Sequence, residues 1–173
     1  ESGNIRQLLE QLIALQVPGH SINIIVVDDN SPDGTAKIVT EIAAQNPRVI
    51  LKVRTNERGR GSAGIEGFKE TMKRKPDYII EMDADFSHDP KYIPAMLAAA
   101  DAGADLVTGS RYVTGGGDPD RTAARRVLSA LAGFYVRTIL GLKVKDPTGG
   151  FRLYRREVLE TIDLDHLLSL GPS

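Results

Sequence analysis

Ile22-Asn23-Ile24-Ile25-Val26-Val27-Asp28-Asp29-Asn30-Ser31-Pro32-Asp33-Gly34-Thr35 is the stretch that decides the fold. Residues 22–27 form a β-branched run of the kind found in strands buried on both faces. The run ends in acids and turn residues. Residues 35–45 then set Ile38, Val39, Ile42 and Ala43 at helical spacing. The same strand-to-helix unit recurs on either side. Upstream, Ile5, Leu8, Leu9, Leu12 and Ile13 share one helical face. Downstream, the pattern predicts a strand over 49–53, a helix over 61–74 with Ile65, Phe68 and Met72 inward, and a strand over 78–82. Asp89-Pro90 caps a helix running to about residue 102, with Pro at its first position. Gly103 stops it, and residues 105–108 are the next strand. Gly115-Gly116-Gly117 leads to a helix over 122–140, and residues 151–154 read as a short final strand. This alternation predicts an α/β fold: a mostly parallel, Rossmann-like sheet with helices on both faces. In such sheets ligands sit outside the carboxyl ends of the strands.

Composition narrows the classes. The 173 residues suit one domain, and 41% of them are hydrophobic, enough for a real core. Lys and Arg number 22 against 23 Asp and Glu, which argues against a nucleic-acid partner. With no Cys there is no disulfide or thiolate–metal framework, which fits a reducing compartment. No apolar run approaches the ~20 residues that span a bilayer.

Both acidic strand ends fall on one sheet edge. The first is Asp28-Asp29-Asn30-Ser31-Pro32-Asp33. The second is Asp83-Ala84-Asp85-Phe86-Ser87-His88-Asp89. Asp, Ser and Pro are also ordinary turn and cap residues, and Asp33 or Asp89 alone fits that reading. Asp83 and Asp85, however, are two apart just past a strand and point to the same side in extended backbone. Two crowded carboxylates repel unless they share a cation, and oxygen ligands at such an edge suit Mg²⁺ or Mn²⁺. A diphosphate would complete the metal's shell.

Gly59-Arg60-Gly61-Ser62-Ala63-Gly64 matches the dinucleotide fingerprint in letters. Residues 55–58 separate it from its strand, where a tight turn is needed, and another βα unit precedes it. A wall beside a phosphate or sugar ranks first, a structural turn second and an NAD site third. Arg58 and Arg60 either neutralise phosphate there or are solvated. Gly109-Ser110-Arg111-Tyr112 brings Arg111 to the acidic edge. Arg121, Arg125 and Arg126 open the following helix, where cations repel unless an anion is bound. The apolar stripe of that helix packs into the domain or rests on a membrane surface. Asp146-Pro147-Thr148-Gly149-Gly150-Phe151-Arg152 reads mainly as a turn. His20, His88 and His166 form no evident dyad, and no convincing general base stands out.

Taken together, Val26 to Thr35, Met82 to Pro90, Gly109 to Tyr112 and Asp146 to Arg152 resemble the family 2 inverting glycosyltransferases, in particular the dolichol-phosphate mannose synthases. The resemblance implies a GT-A fold. It implies that Asp28 and Asp29 lie near the donor nucleoside, and that Glu1, Asp83, Ala84, Asp85 and Arg111 also face the nucleotide sugar. Asp83 and Asp85 would hold Mg²⁺ or Mn²⁺ on the donor diphosphate, with Ser87 at a further position of the metal shell. Arg111 and Arg125, with Ser129, would hold the acceptor phosphate. Asp85, Arg111 and Arg125 are the catalytic candidates. The implied donor is GDP-mannose and the acceptor a polyprenyl phosphate lipid at a membrane surface.

The family opens with a strand ending in Pro-Thr-Tyr-Asn-Glu, of which Glu1 matches the last residue, and it continues past the final strand seen here. The expectation is therefore a single catalytic domain over 1–173, cut at both ends and lacking its first strand. It would lie at the cytoplasmic membrane face. Rival readings are a UDP-glucose-dependent transferase and a non-catalytic nucleotide-sugar-binding module.

Overall fold

The computed structural model describes residues 2–55, 59–110 and 149–167. The chain opens on α1 (Ser2–Ala14), whose Ile5, Leu8, Leu9 and Leu12 are all buried. Their spacing of three and four makes one apolar stripe. That stripe divides between two clusters. Leu8 and Leu12 join Ile93, Met96, Leu97 and Leu153, while Ile5 and Leu9 join Val39 and Val49. So α1 ties the two halves of the core together. Each fully buried Leu or Ile contributes about 1.5–3 kcal/mol relative to exposure.

The first half is β1 (Ile24–Asp28), α2 (Thr35–Gln45) and β2 (Val49–Val53). β1 and β2 pair in parallel, from Ile24 opposite Val49 to Asp28 opposite Val53. Gly34, at φ 87°, supplies the left-handed turn that feeds α2. Next comes α3 (Arg60–Met72), which packs on β1 and on β3 (Tyr78–Glu81) yet has no fully buried residue. The approach to β1 is through glycine: a Cβ on Gly67 would stand 3.4 Å from Val27 Cγ2.

The second half is β3, a 3₁₀ turn (Pro90–Tyr92), α4 (Ile93–Asp101), β4 (Leu106–Thr108), β5 (Arg152–Arg155) and α5 (Arg156–Glu160). The Asp89 side chain accepts from the Lys91 amide, and Pro90 takes the first position, as the sequence predicts. β5 lies between β3 and β4, antiparallel to both, so β3 and β4 run the same way.

Two expectations change. The α/β class stands, but among the described residues parallel pairing is seen only between β1 and β2; β5 enters antiparallel. Alternation predicts parallel neighbours for strands joined by one crossover helix, and β5 follows the stretch 111–148, which lies outside the described residues. The helix expected over 122–140 lies there too. Second, residues 24–27 were expected to be buried on both faces but are only half-buried.

The reason for that exposure is a slot of ≈ 920 Å³ between β1 and β3. Residues 22–29 line it consecutively, and so do residues 76–85. Side chains alternate along a strand, so consecutive lining means that the slot is walled by strand edges. Among the described residues β1 pairs only with β2, and β3 only with β5. Ile5 and Leu8 of α1 and Gly64 and Gly67 of α3 close it on the two faces. The start of α1 sits at the slot's acidic end, where the Ser2 amide donates to Asp33 Oδ2 at 3.0 Å.

Candidate active site

The carboxyl ends of β1 and β3 carry the two acidic loops, and both border the slot. Each loop contains one non-glycine residue in the left-handed region, Asn30 at φ 55° and Phe86 at φ 64°. Asn adopts that conformation readily. Phe does not, and such strain concentrates at functional loops.

In the first loop each acid is held by the protein. Asp28 is buried, and its Oδ2 accepts from the Ser31 amide at 3.0 Å. Asp29 meets Arg54, the residue after β2. Nε donates to Oδ1 at 2.7 Å, and Nη2 lies 2.5 Å from the same oxygen. The Gly59 amide donates to Asp29 Oδ2 at 2.9 Å. Arg54 is only 8% exposed. Its Nη1 donates to Ser62 Oγ at 2.9 Å and its Nη2 to the Gly59 carbonyl at 3.2 Å. One guanidinium thus fastens the ends of β1 and β2 to the start of α3. Sequence reasoning missed Arg54. It stands just past a strand, the position where the acids were sought, so the signal was present.

The second loop is arranged differently. Ala84 packs against both core clusters. Its neighbours Asp83 and Asp85 both border the slot. Asp83 Oδ2 is paired with Arg60, a side chain 75% exposed. Asp85 Oδ1 accepts from the Ser87 amide at 2.9 Å. The Ser87 hydroxyl, with that amide, holds the Asp85 carboxyl below its ordinary range. Ser87 thus organises Asp85. Glu81, two residues before Asp83, is pushed up by desolvation against the opposing charge of Arg152, its cross-strand partner.

Of the segment read mainly as a turn at 146–152, residues 146–148 lie outside the described residues, and residues 149–152 do more. A Cβ on Gly150 would stand 2.8 Å from Arg60 Nη2 and 3.3 Å from His88 Cε1, so this backbone closes directly on the acidic loop. Phe151 stacks on His88, with centroids 5.1 Å apart and planes at 14°. Gly109 lies against Phe151, and its amide donates to the Phe151 carbonyl at 2.8 Å. The reading that no His forms a dyad is also corrected. His20 Nε2 lies 2.9 Å from Asp101 Oδ2 and His166 Nδ1 2.6 Å from Asp163 Oδ2, whereas His88 Nδ1, 3.8 Å from Asp83 Oδ2, is beyond hydrogen-bond distance of that carboxylate. The Asp101 partner is 81 residues from His20, beyond the reach of any local pattern. Glu1, Arg58, Arg111, Arg121, Arg125, Arg126 and Ser129 lie outside the described residues.

The donor set suits a hard cation shared with a ligand. Among the described residues no group of three or more His, Cys, Asp or Glu is placed to cage a metal ion. A closed structural zinc site is thus not what this loop offers. Two carboxylates, each with a second oxygen beyond the contacts above, are what Mg²⁺ uses when phosphate and water complete its shell. No helix among the described residues is long and apolar enough to cross a membrane.

Comparison with known proteins gives the family. The family described as Glycosyl transferase family 2 matches residues 1–163. The chain is 47% identical over 151 residues to the polyprenol monophosphomannose synthase of Mycolicibacterium smegmatis, covering 87% of this chain and 57% of that protein. It is 43% identical over 149 residues to the undecaprenyl-phosphate mannosyltransferase of Micrococcus luteus, covering 86% and 61%. It is 38% identical over 169 residues to the dolichol-phosphate mannosyltransferase of Pyrococcus furiosus, covering 94% and 46%. The chain thus spans between 46% and 61% of the length of these curated relatives.

Proposed function

The chain belongs to glycosyl transferase family 2, and from that premise we propose that it is the donor-binding core of an enzyme that moves mannose from GDP-mannose to a polyprenyl phosphate with inversion. The observation that carries the reading is the pair Asp83 and Asp85, which follow β3 and border the slot on either side of the partly buried Ala84. The names of the relatives support mannose and a lipid phosphate.

Asp83 and Asp85, with Ser87 beside them, are the residues for Mg²⁺ or Mn²⁺. When bound, the cation supplies electrostatic stabilisation to the departing diphosphate. The rest falls to the chain. Asp29, fixed by Arg54 and the Gly59 amide, presents a carboxylate edge of settled orientation to the nucleoside. Arg60, exposed beside Asp83, reaches the donor phosphates. Arg111 and Arg125, with Ser129, hold the acceptor phosphate and offset repulsion between two anions. A phosphate monoester has a second pKa near ~6 and is largely dianionic at neutral pH. It attacks without a strong general base. Attack in line with the leaving group converts an α-linked donor into a β-linked lipid phosphate.

The slot between β1 and β3 supports a further element, an extended segment running parallel with β1 and leading into α1 at the acidic edge. It would satisfy both open strand edges and complete a GT-A sheet within one catalytic domain that works at the cytoplasmic membrane surface. The test of function is transfer by the full-length protein. Labelled mannose should pass from GDP-mannose to polyprenyl phosphate only with Mg²⁺ or Mn²⁺ present. Preferential transfer from UDP-glucose, or metal-independent transfer, would overturn the assignment.

A further inference from the structure

The Asp83 loop is closed by a hydrogen bond that the proposed chemistry does not use. The Asp83 amide donates to His88 Nδ1 at 2.8 Å. An amide N–H can only donate, so Nδ1 is the unprotonated ring nitrogen and the neutral ring carries its proton on Nε2. The ring itself is held in place. One face stacks on Phe151, which is 4% exposed and belongs to the core. Its Cε1 edge abuts Gly150, where a Cβ would come within 3.3 Å. Between Asp83 and His88, Ala84 is anchored in the core, Phe86 takes its left-handed turn, and Ser87 caps Asp85. The imidazole is therefore a strut from the core to the backbone that carries Asp83.

We propose that His88 is a positioning residue. Its Nδ1 fixes the Asp83 amide and, through the closed loop, the spacing of Asp83 and Asp85 needed by a divalent cation. This rests on the reading that those two carboxylates hold the cation. A ring that merely fills space would work equally well without its nitrogen, so the acceptor is what the experiment must isolate. His88→Asn keeps an acceptor oxygen at the δ position. His88→Phe keeps a stacking ring and removes the acceptor.

Two measurements on the full-length protein decide the matter. Nitrogen-15 NMR of the histidine rings should show His88 with Nδ1 unprotonated and Nε2 protonated. Calorimetric titration of Mn²⁺ in the presence of GDP should show His88→Phe weakened about 10-fold to 100-fold, the usual cost of losing a group that orients a metal ligand. His88→Asn should stay within about threefold of wild type, because the acceptor survives. Metal-free GDP binding should be alike in all three. A protonated Nδ1, Mn²⁺ affinity unchanged in His88→Phe, or equal losses in both variants would overturn the proposal. If the wild type takes up no Mn²⁺ with GDP, the assignment of the cation site fails and the positioning role with it. The NMR result then reports only whether the hydrogen bond exists.

Discussion

The two acidic loops begin alike and end differently. After β1 the acids meet Arg54, a guanidinium 8% exposed, and backbone amides. After β3 they meet Arg60, which is 75% exposed, and a serine. The first loop is neutralised from within by a cation that cannot leave without unfolding its surroundings. The second is neutralised from the surface by an exposed side chain. Paired aspartates after a buried strand do not by themselves define a cation site. What matters is whether the protein already supplies the countercharge, and how firmly.

Arg54→Met should give the largest effect. It strips Asp29 of its partner and frees the start of α3. Breaking a buried pair on one side costs about 3–5 kcal/mol, toward the lower end here because Asp29 is partly exposed. Denaturant unfolding would reveal it, and a loss below about 1 kcal/mol would erase the contrast between the loops. Asp85→Ala should be the mirror image. Transfer should fall by about two to three decades, or 2.7–4 kcal/mol at the barrier, while stability changes little. Ser62→Ala removes one hydrogen bond to the Arg54 guanidinium and should lower stability by about 1 kcal/mol in the same unfolding assay. Arg60→Ala should be the smallest in stability, within about 0.5 kcal/mol, since an exposed ion pair contributes little. Its donor KM should nevertheless rise. A large loss of stability in Arg60→Ala would mean that the second loop is as internally fixed as the first.

Local pattern made part of this legible in the sequence. The helix at Thr35–Gln45 occurs with the expected bounds, because its apolar spacing and preceding Gly34 are both local signals. Asp83 and Asp85 stand where the strand-end rule put them. Arg54 obeys the same rule but carries no motif, and a lone Arg gains meaning only when β1 and β2 are seen side by side. His88 and Phe151 meet only because β5 inserts beside β3, and that pairing depends on which edges are open across the whole fold. Gly150 looked like a turn residue because nothing in the sequence tells what a missing Cβ makes room for. Residues 24–27 by themselves did not reveal the open slot: they are apolar enough for full burial, and only the pairing of both strands shows, among the described residues, an edge left over.

The most direct test is anomalous scattering at the manganese edge from crystals of the full-length protein grown with Mn²⁺ and GDP. The account predicts a single strong peak at the end of β3 within coordination distance of Asp83 and Asp85, with none beside Asp28 and Asp29. A peak seated on the first loop, or GDP bound in the site with no manganese near Asp85, would contradict it.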